Sequence, residues 1–135
     1  MMHRFQLNTK SRTDFREITG EVQDAVTRAG LQDGLVTVFV PHTTAGITIN
    51  EHADPDVVRD MKQVLDAVVP WDGDYRHAEG NTAAHVKASM MGSSAQIIVE
   101  SGRLQLGTWQ GIFFCEFDGP RSRNVCLHCT STINH

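Results

Sequence analysis

The segment Leu35-Val36-Thr37-Val38-Phe39-Val40 constrains this chain more than any other. It is short, almost continuously apolar and rich in β-branched side chains, so it reads as a central strand rather than a helix. Pro41 stops it, because a proline has no N–H with which to extend a ladder. Residues 3–8 and 12–18 read as two short strands around the polar turn Thr9-Lys10-Ser11, and Ile47-Thr48-Ile49-Asn50 alternates as a further strand. The last third of the chain is β throughout: residues 95–100, 103–106, 111–117 and 124–132, with turns at Ser101-Gly102 and at Asp118-Gly119-Pro120-Arg121. Strands joined by short turns are expected to pair antiparallel.

Three segments carry the helical period instead. Val22, Ala25, Val26 and Ala29 fall on one face, with Thr19 as the expected N-cap and Gly30 as the left-handed residue that ends the helix. Asp54 caps a second helix with Pro55 at its first position, and Pro70 closes it. Its apolar residues Val57, Val58, Met61, Val64, Leu65 and Val68 share an arc of roughly 120°, a stripe meant for a sheet. A third helix starts at Asn81 or Thr82 and runs to Met91 before Gly92. The expected fold is α+β: a mainly antiparallel sheet with about three helices packed on one face. A length of 135 residues suits one compact domain spanning residues 1–135.

Composition narrows the function classes. Twelve Lys and Arg against sixteen Asp and Glu give a formal charge of −4, which disfavours a general nucleic-acid binder. No apolar run approaches the ~18–20 residues of a membrane span, so no membrane association is expected. Met1-Met2-His3-Arg4-Phe5-Gln6 lacks the apolar stretch of a signal peptide, and three cysteines do not make a disulfide framework. A cytoplasmic protein is expected. Cys126 and Cys129 are three apart in a strand and so point to opposite faces, a poor arrangement for a redox pair or a shared metal. No dinucleotide fingerprint, Gly-rich phosphate loop or nucleophile elbow is present, and no organic cofactor is expected.

Seven histidines are left as the place to look for chemistry. His42-Thr43-Thr44 follows directly on the strand that Pro41 ends. Hydroxyls, free backbone N–H groups and an imidazole can hold a phosphate or a metal-bound anion there, or the segment is a plain link with a surface histidine. His77-x-Glu79-x-Asn81-x-x-x-His85 brings one imidazole from a loop and one from a helix, with a carboxylate between. That set suits a divalent ion, or equally a helix start with a solvent-facing His85. His85 and Ser89 share one helix face, whereas Lys87 lies in the apolar arc, about 160° from His85. Lys87 then either snorkels outward or meets a buried anion or carboxylate. Gln110 and Glu116 lie on one face of a strand but roughly 20 Å apart, too far to share one small substrate within a chain, although an oligomer interface can join the two from different copies. Asp118 reads mainly as a turn residue, while the planar fork of Arg121 suits phosphate.

Taken in order, several motifs resemble the YjbQ family, also called the secondary thiamine-phosphate synthase family. They are His42-Thr43-Thr44-Ala45-Gly46-Ile47-Thr48-Ile49-Asn50-Glu51, Ala53-Asp54-Pro55-Asp56-Val57, His77-Ala78-Glu79-Gly80-Asn81, Ala84-His85-Val86-Lys87-Ala88-Ser89 and Leu104-Gln105-Leu106-Gly107-Thr108-Trp109-Gln110. The resemblance covers nearly the whole chain. It implies a compact α+β fold assembled as a homotrimer. It implies a weak thiamine-phosphate synthase activity, a transferase reaction joining hydroxymethylpyrimidine diphosphate to thiazole phosphate with release of pyrophosphate. A small phosphorylated metabolite is the expected ligand, though the physiological substrate can be another. His42, Thr43, His77, Asn81, His85, Lys87, Gln110 and Arg121 carry over as site residues, with Glu51 and Glu116 beside them; the residue reading adds Thr44 and Ser89 to the substrate-binding set. His42, His77, His85 and Glu116 are the expected catalytic residues. The three imidazoles are also the expected ligands of a divalent ion, Zn²⁺ or Mg²⁺, with Glu51, Glu79 and Glu116 as acceptors behind them. The alternatives are a metal-dependent hydrolase of a small anionic substrate and a non-catalytic trimer that binds a metabolite.

Overall fold

The computed structural model describes residues 2–132. In chain order the elements are β1 (Met2–Asn8), β2 (Asp14–Glu17), α1 (Thr19–Ala29), β3 (Gly34–Phe39), β4 (Ala45–Glu51), α2 (Pro55–Val68), α3 (Thr82–Met91), β5 (Ser94–Glu100), β6 (Arg103–Leu104), β7 (Gln110–Glu116) and β8 (Ser122–Ser131). The class is α+β with three helices and antiparallel pairing, as the patterning implies. The strands divide into two sheets, however: five strands in the order β1-β8-β3-β5-β6, and three in the order β2-β7-β4.

Local chemistry sets the helix ends. The Asp54 carboxylate accepts the Asp56 N–H at 2.9 Å, and Pro55 follows it at the start of α2. Gly30 ends α1 with φ of 70°. Thr19 is not the N-cap of α1 but its first residue. Its hydroxyl donates to Glu17 at 2.9 Å and accepts the Ile112 N–H at 2.9 Å, tying the helix start to β7. Asn81 precedes α3, but its side chain makes no capping bond and is used elsewhere.

Period-2 patterning then builds two cores. Val36 and Val38 of β3, Ile97 and Val99 of β5, and Val125 and Leu127 of β8 face Ile47, Ile112 and Phe114 of the small sheet, with Val22, Ala25 and Val26 of α1 closing that space. The opposite face of β7 presents Phe113 and Cys115, which pack with Phe117 against Leu65 of α2 and Ala84 and Ala88 of α3. The small sheet is therefore the middle layer, and β7, buried from Gly111 to Glu116, is the strand covered on both faces. β3 is central in its sheet, yet Leu35 and Thr37 are only half-buried and Phe39 is exposed. Its apolar run reflects position within a sheet whose outer face is left partly open by the described residues.

One contact fixes α3 on β4. A Cβ on Gly46 would stand 2.7 Å from the Gly92 carbonyl oxygen and 3.0 Å from Met91 Cβ. Glycine lets the helix end approach the strand closely enough for the Ile47 N–H to donate to the Gly92 carbonyl at 3.0 Å. His85 stands on the helix that this contact holds. Among the described residues no helix is long and apolar enough to cross a membrane.

Candidate functional site

The chain crosses from the large sheet to the small one through residues 40–44. Continuing the β3–β8 register two residues beyond Phe39↔Cys126 would place Pro41 opposite Asn124. The strand has ended there, and the His42 ring takes over: its Nε2 accepts the Asn124 N–H at 2.9 Å. The next residue, Arg123, points to the core face of β8 in line with Val125 and Leu127. A buried guanidinium needs partners. Its Nε donates to Glu116 Oε1 at 2.7 Å, and its Nη2 donates to Thr44 Oγ1 at 2.7 Å and closely to Glu116 Oε2. Glu116 is 0% exposed and also accepts from the Thr9 hydroxyl at 2.8 Å and the Asp118 N–H at 3.0 Å.

Four accepted bonds decide the state of Glu116. Burial alone would push its carboxyl up, but the Arg123 side chain, the Asp118 N–H, the Thr9 hydroxyl and the Arg123 charge outweigh that and hold it below the usual carboxylate range. The expectation that Glu116 is catalytic is corrected on this ground. Its oxygens are saturated with donors, and it positions Arg123. The His42 imidazole is shifted down, by burial first and by the nearby Arg123 charge second.

A second arm comes from the α2–α3 connection and from α3. His77 and His85 stack edge to face with ring centroids 5.4 Å apart, and His77 Nε2 lies 3.8 Å from Glu79 Oε1. Asn81 is buried; its Nδ2 donates to Asp118 Oδ2 at 2.9 Å, while its Oδ1 is the one buried side-chain N or O atom without a partner among the described residues. Asp118 is thus more than a turn residue: it bridges Asn81 to Arg121, whose Nη2 donates to Asp118 Oδ2 at 2.9 Å and whose Nε donates to the Asp118 carbonyl at 2.8 Å.

These arms enclose a cavity of about 720 Å³. His42, His77 and His85 all line it, together with Thr43, Thr44, Asn81, Arg121 and Arg123. Three imidazoles distant in sequence therefore share one hollow. Ser89 lies in an adjoining cavity that His42, Thr43 and His85 also border, and its hydroxyl donates to the His85 carbonyl at 3.0 Å.

Other expected site residues lie elsewhere. Lys87 is 3% exposed, forms a close ion pair with Asp66 of α2 and faces a different cavity beside Arg12 and Trp71. Of the two alternatives posed for it, it meets a carboxylate, and it is not a substrate-binding group at the histidine cavity. Gln110 is at the far end of β7, where its Oε1 accepts the Gly107 N–H at 2.8 Å. Glu51 pairs with Gln110 in register, accepts the Ala53 N–H at 3.0 Å and lines a different cavity, beside His52. Arg123 was not anticipated. The signal was present, since an arginine two residues before Val125 sits at a core position of an alternating strand. Its partner Glu116 was not legible as such, because strand pairing had to be known first.

A metal held by all three imidazoles of one chain does not fit this donor set. His42 Nε2 is occupied by the Asn124 N–H, which leaves the ring proton on Nδ1. Among the described residues no group of three His, Cys, Asp or Glu side chains is arranged to hold a metal ion. As described, the cavity offers imidazole, hydroxyl and guanidinium groups, with the Glu79 and Asp118 carboxylates and Asn81 Oδ1 as acceptors.

Comparison with known proteins agrees with the fold and the motifs. The family described as "UPF0047 protein YjbQ-like" matches residues 3–132. The UPF0047 protein YugU of Bacillus subtilis is 54% identical over 128 residues, covering 94% of this chain and 97% of its own length. A UPF0047 protein of Methanocaldococcus jannaschii is 46% identical, covering 91% of this chain and 89% of its own. The crystal structure of a YjbQ/UPF0047-family protein from Clostridium acetobutylicum superposes with a TM-score of 0.94 at 57% identity, covering 95% of this chain and 99% of that one. A YbjQ-like protein of Sulfolobus solfataricus keeps a TM-score of 0.93 at 28% identity, covering 97% and 96%. With nearly every element matched in sequence and in space, the chain belongs to the YjbQ (UPF0047) family.

Proposed function

We propose that the histidine cavity binds a small phosphorylated metabolite and that the chain catalyses a thiamine-phosphate synthase-type transfer. The observation that carries this reading is the convergence of Arg121, Arg123 and three imidazoles on one cavity of about 720 Å³. That volume suits a single small ligand. In the transfer, the bond from the pyrimidine methylene carbon to the diphosphate oxygen breaks, and its electron pair leaves with the diphosphate. The thiazole nitrogen supplies its lone pair to the same carbon, giving a thiazolium and free pyrophosphate. No proton need move, so a saturated Glu116 is no obstacle. What the step needs is stabilisation of charge growing on the leaving group, which guanidinium and imidazole donors supply.

The hydrolase alternative depended on a three-imidazole metal centre with an open position, and the His42 hydrogen bond favours the transfer reading over it. A homotrimer and a cytoplasmic setting remain part of the proposal. The free thiols Cys115, Cys126 and Cys129 are compatible with a reducing compartment. The experiment is pyrophosphate release from hydroxymethylpyrimidine diphosphate and thiazole phosphate, with and without added Mg²⁺ or Zn²⁺. Turnover by the wild type and its loss in His85→Ala, with the assembly intact, is the expected result. Binding of both precursors without turnover would leave a metabolite-binding protein in place of an enzyme. An unchanged rate in His85→Ala would remove His85 from the site.

A further inference from the structure

The His42 ring has two nitrogens with different fates. Nε2 accepts a backbone N–H from Asn124 at 2.9 Å, and only an unprotonated nitrogen can do so. The neutral ring therefore carries its proton on Nδ1, which has no partner among the described residues. Arg123 is divided in the same way. Its Nε and Nη2 are committed to Glu116 and Thr44, and its Nη1 makes no bond among the described residues. Neither unpaired nitrogen is sealed in the interior, because Asn81 Oδ1 is the one buried unpartnered side-chain N or O atom among the described residues. Both belong to residues that line the histidine cavity.

We propose that His42 serves as a neutral hydrogen-bond donor, through Nδ1–H, to a phosphoryl oxygen of the bound ligand, with Arg123 Nη1 as the cationic half of the same subsite. The inference deepens the phosphate reading of the cavity and rests on it. It assigns His42 a role different from a metal ligand or a general base. The backbone of β8 fixes the tautomer, so the donor is aimed before the ligand arrives and no side-chain proton has to be rearranged on binding. Glu116 and Thr44 fix the guanidinium in the same manner, holding Nε and Nη2 and leaving Nη1 for the ligand.

The test uses the full chain labelled with ¹⁵N at histidine. Long-range ¹H–¹⁵N correlation of the free protein is expected to show a protonated Nδ1 and an unprotonated Nε2 for His42, and addition of inorganic pyrophosphate is expected to shift Nδ1. Calorimetric titration with inorganic pyrophosphate then compares the wild type with two variants. His42→Gln keeps an acceptor near the Asn124 N–H but removes the donor at the Nδ1 position, and is expected to weaken binding about tenfold. His42→Asn places an amide N–H near the Nδ1 position and is expected to recover part of that loss. A proton on Nε2, or equal affinity for His42→Gln and the wild type, would overturn the subsite while leaving the phosphate reading standing. Failure of the wild type to bind pyrophosphate would overturn both, and the tautomer measured in the free protein would tell the two failures apart.

Discussion

Arg123 and Glu116 bring opposite charges into a part of the molecule where water reaches neither freely, and each is tolerable only because of the other. Removing one partner of a buried ion pair leaves the other uncompensated, which costs about 3–5 kcal/mol. Glu116→Gln is therefore expected to lower the unfolding free energy by about that amount, measured by urea denaturation at neutral pH. The same pair gives an acid signature. Because the folded carboxyl titrates lower than the unfolded one, its contribution is fully present above the unfolded value of about 4.3 and is lost as pH falls through the lower folded value. The wild type should show this acid-side loss in its urea midpoints, and Glu116→Gln should lack it. Equal slopes for the two proteins would show that Glu116 is not the ionised anchor of Arg123. The sequence displays both residues and even the core-facing position of Arg123. What it does not display is that Thr9 and Thr44 meet them, because those contacts span 107 and 79 residues of chain.

At the level of elements, period and punctuation were readable because they are local. Asp54-Pro55, Gly30 and Pro70 act within one turn of where they stand, and the helices begin or end there. The division of the strands into two sheets was not readable, since it depends on which strand each edge meets. The apolar run at residues 35–40 reads as a central strand and is one, but its outer face is partly open, while the strand covered on both faces, β7, carries Gly111 and Glu116. Gly46 belongs to this scale, where strand and helix touch. Gly46→Ala would drive a methyl group into the Gly92 carbonyl and the Met91 side chain, both at 3.0 Å or less. The helix end has to move, and overpacking of this kind costs about 1–3 kcal/mol. Because α3 carries His85, the variant is expected to weaken pyrophosphate binding as well as stability, read by calorimetry and by thermal melting. Loss of stability with unchanged binding would show that His85 is held independently of the β4–α3 contact.

For the whole molecule the decisive feature is an amphipathic helix whose apolar stripe is largely uncovered. Of the six residues on that stripe of α2 only Leu65 is buried, while Val64 is 59% and Val68 is 64% exposed. Val57, Met61, Val64 and Leu65 line an apolar groove with Met91 of α3. A stripe this regular is usually buried by something, and in the proposed homotrimer a second copy is the occupant. Assembly by this face would cover α2 and α3 together and would restrain the helix that carries His85. It would not recruit Lys87, which is already buried against Asp66 within its own chain. Replacing Val64 and Val68 together by Asp places one carboxylate in the groove and a second on the exposed stripe beside it, where desolvation without partners opposes association. Sedimentation equilibrium is expected to give a trimer for the wild type and a folded monomer for the double variant, with helix content by circular dichroism unchanged. A double variant that remains trimeric would move the interface off α2, and the exposed Phe39 and Ile98 on the outer face of the large sheet would be the next surface to vary.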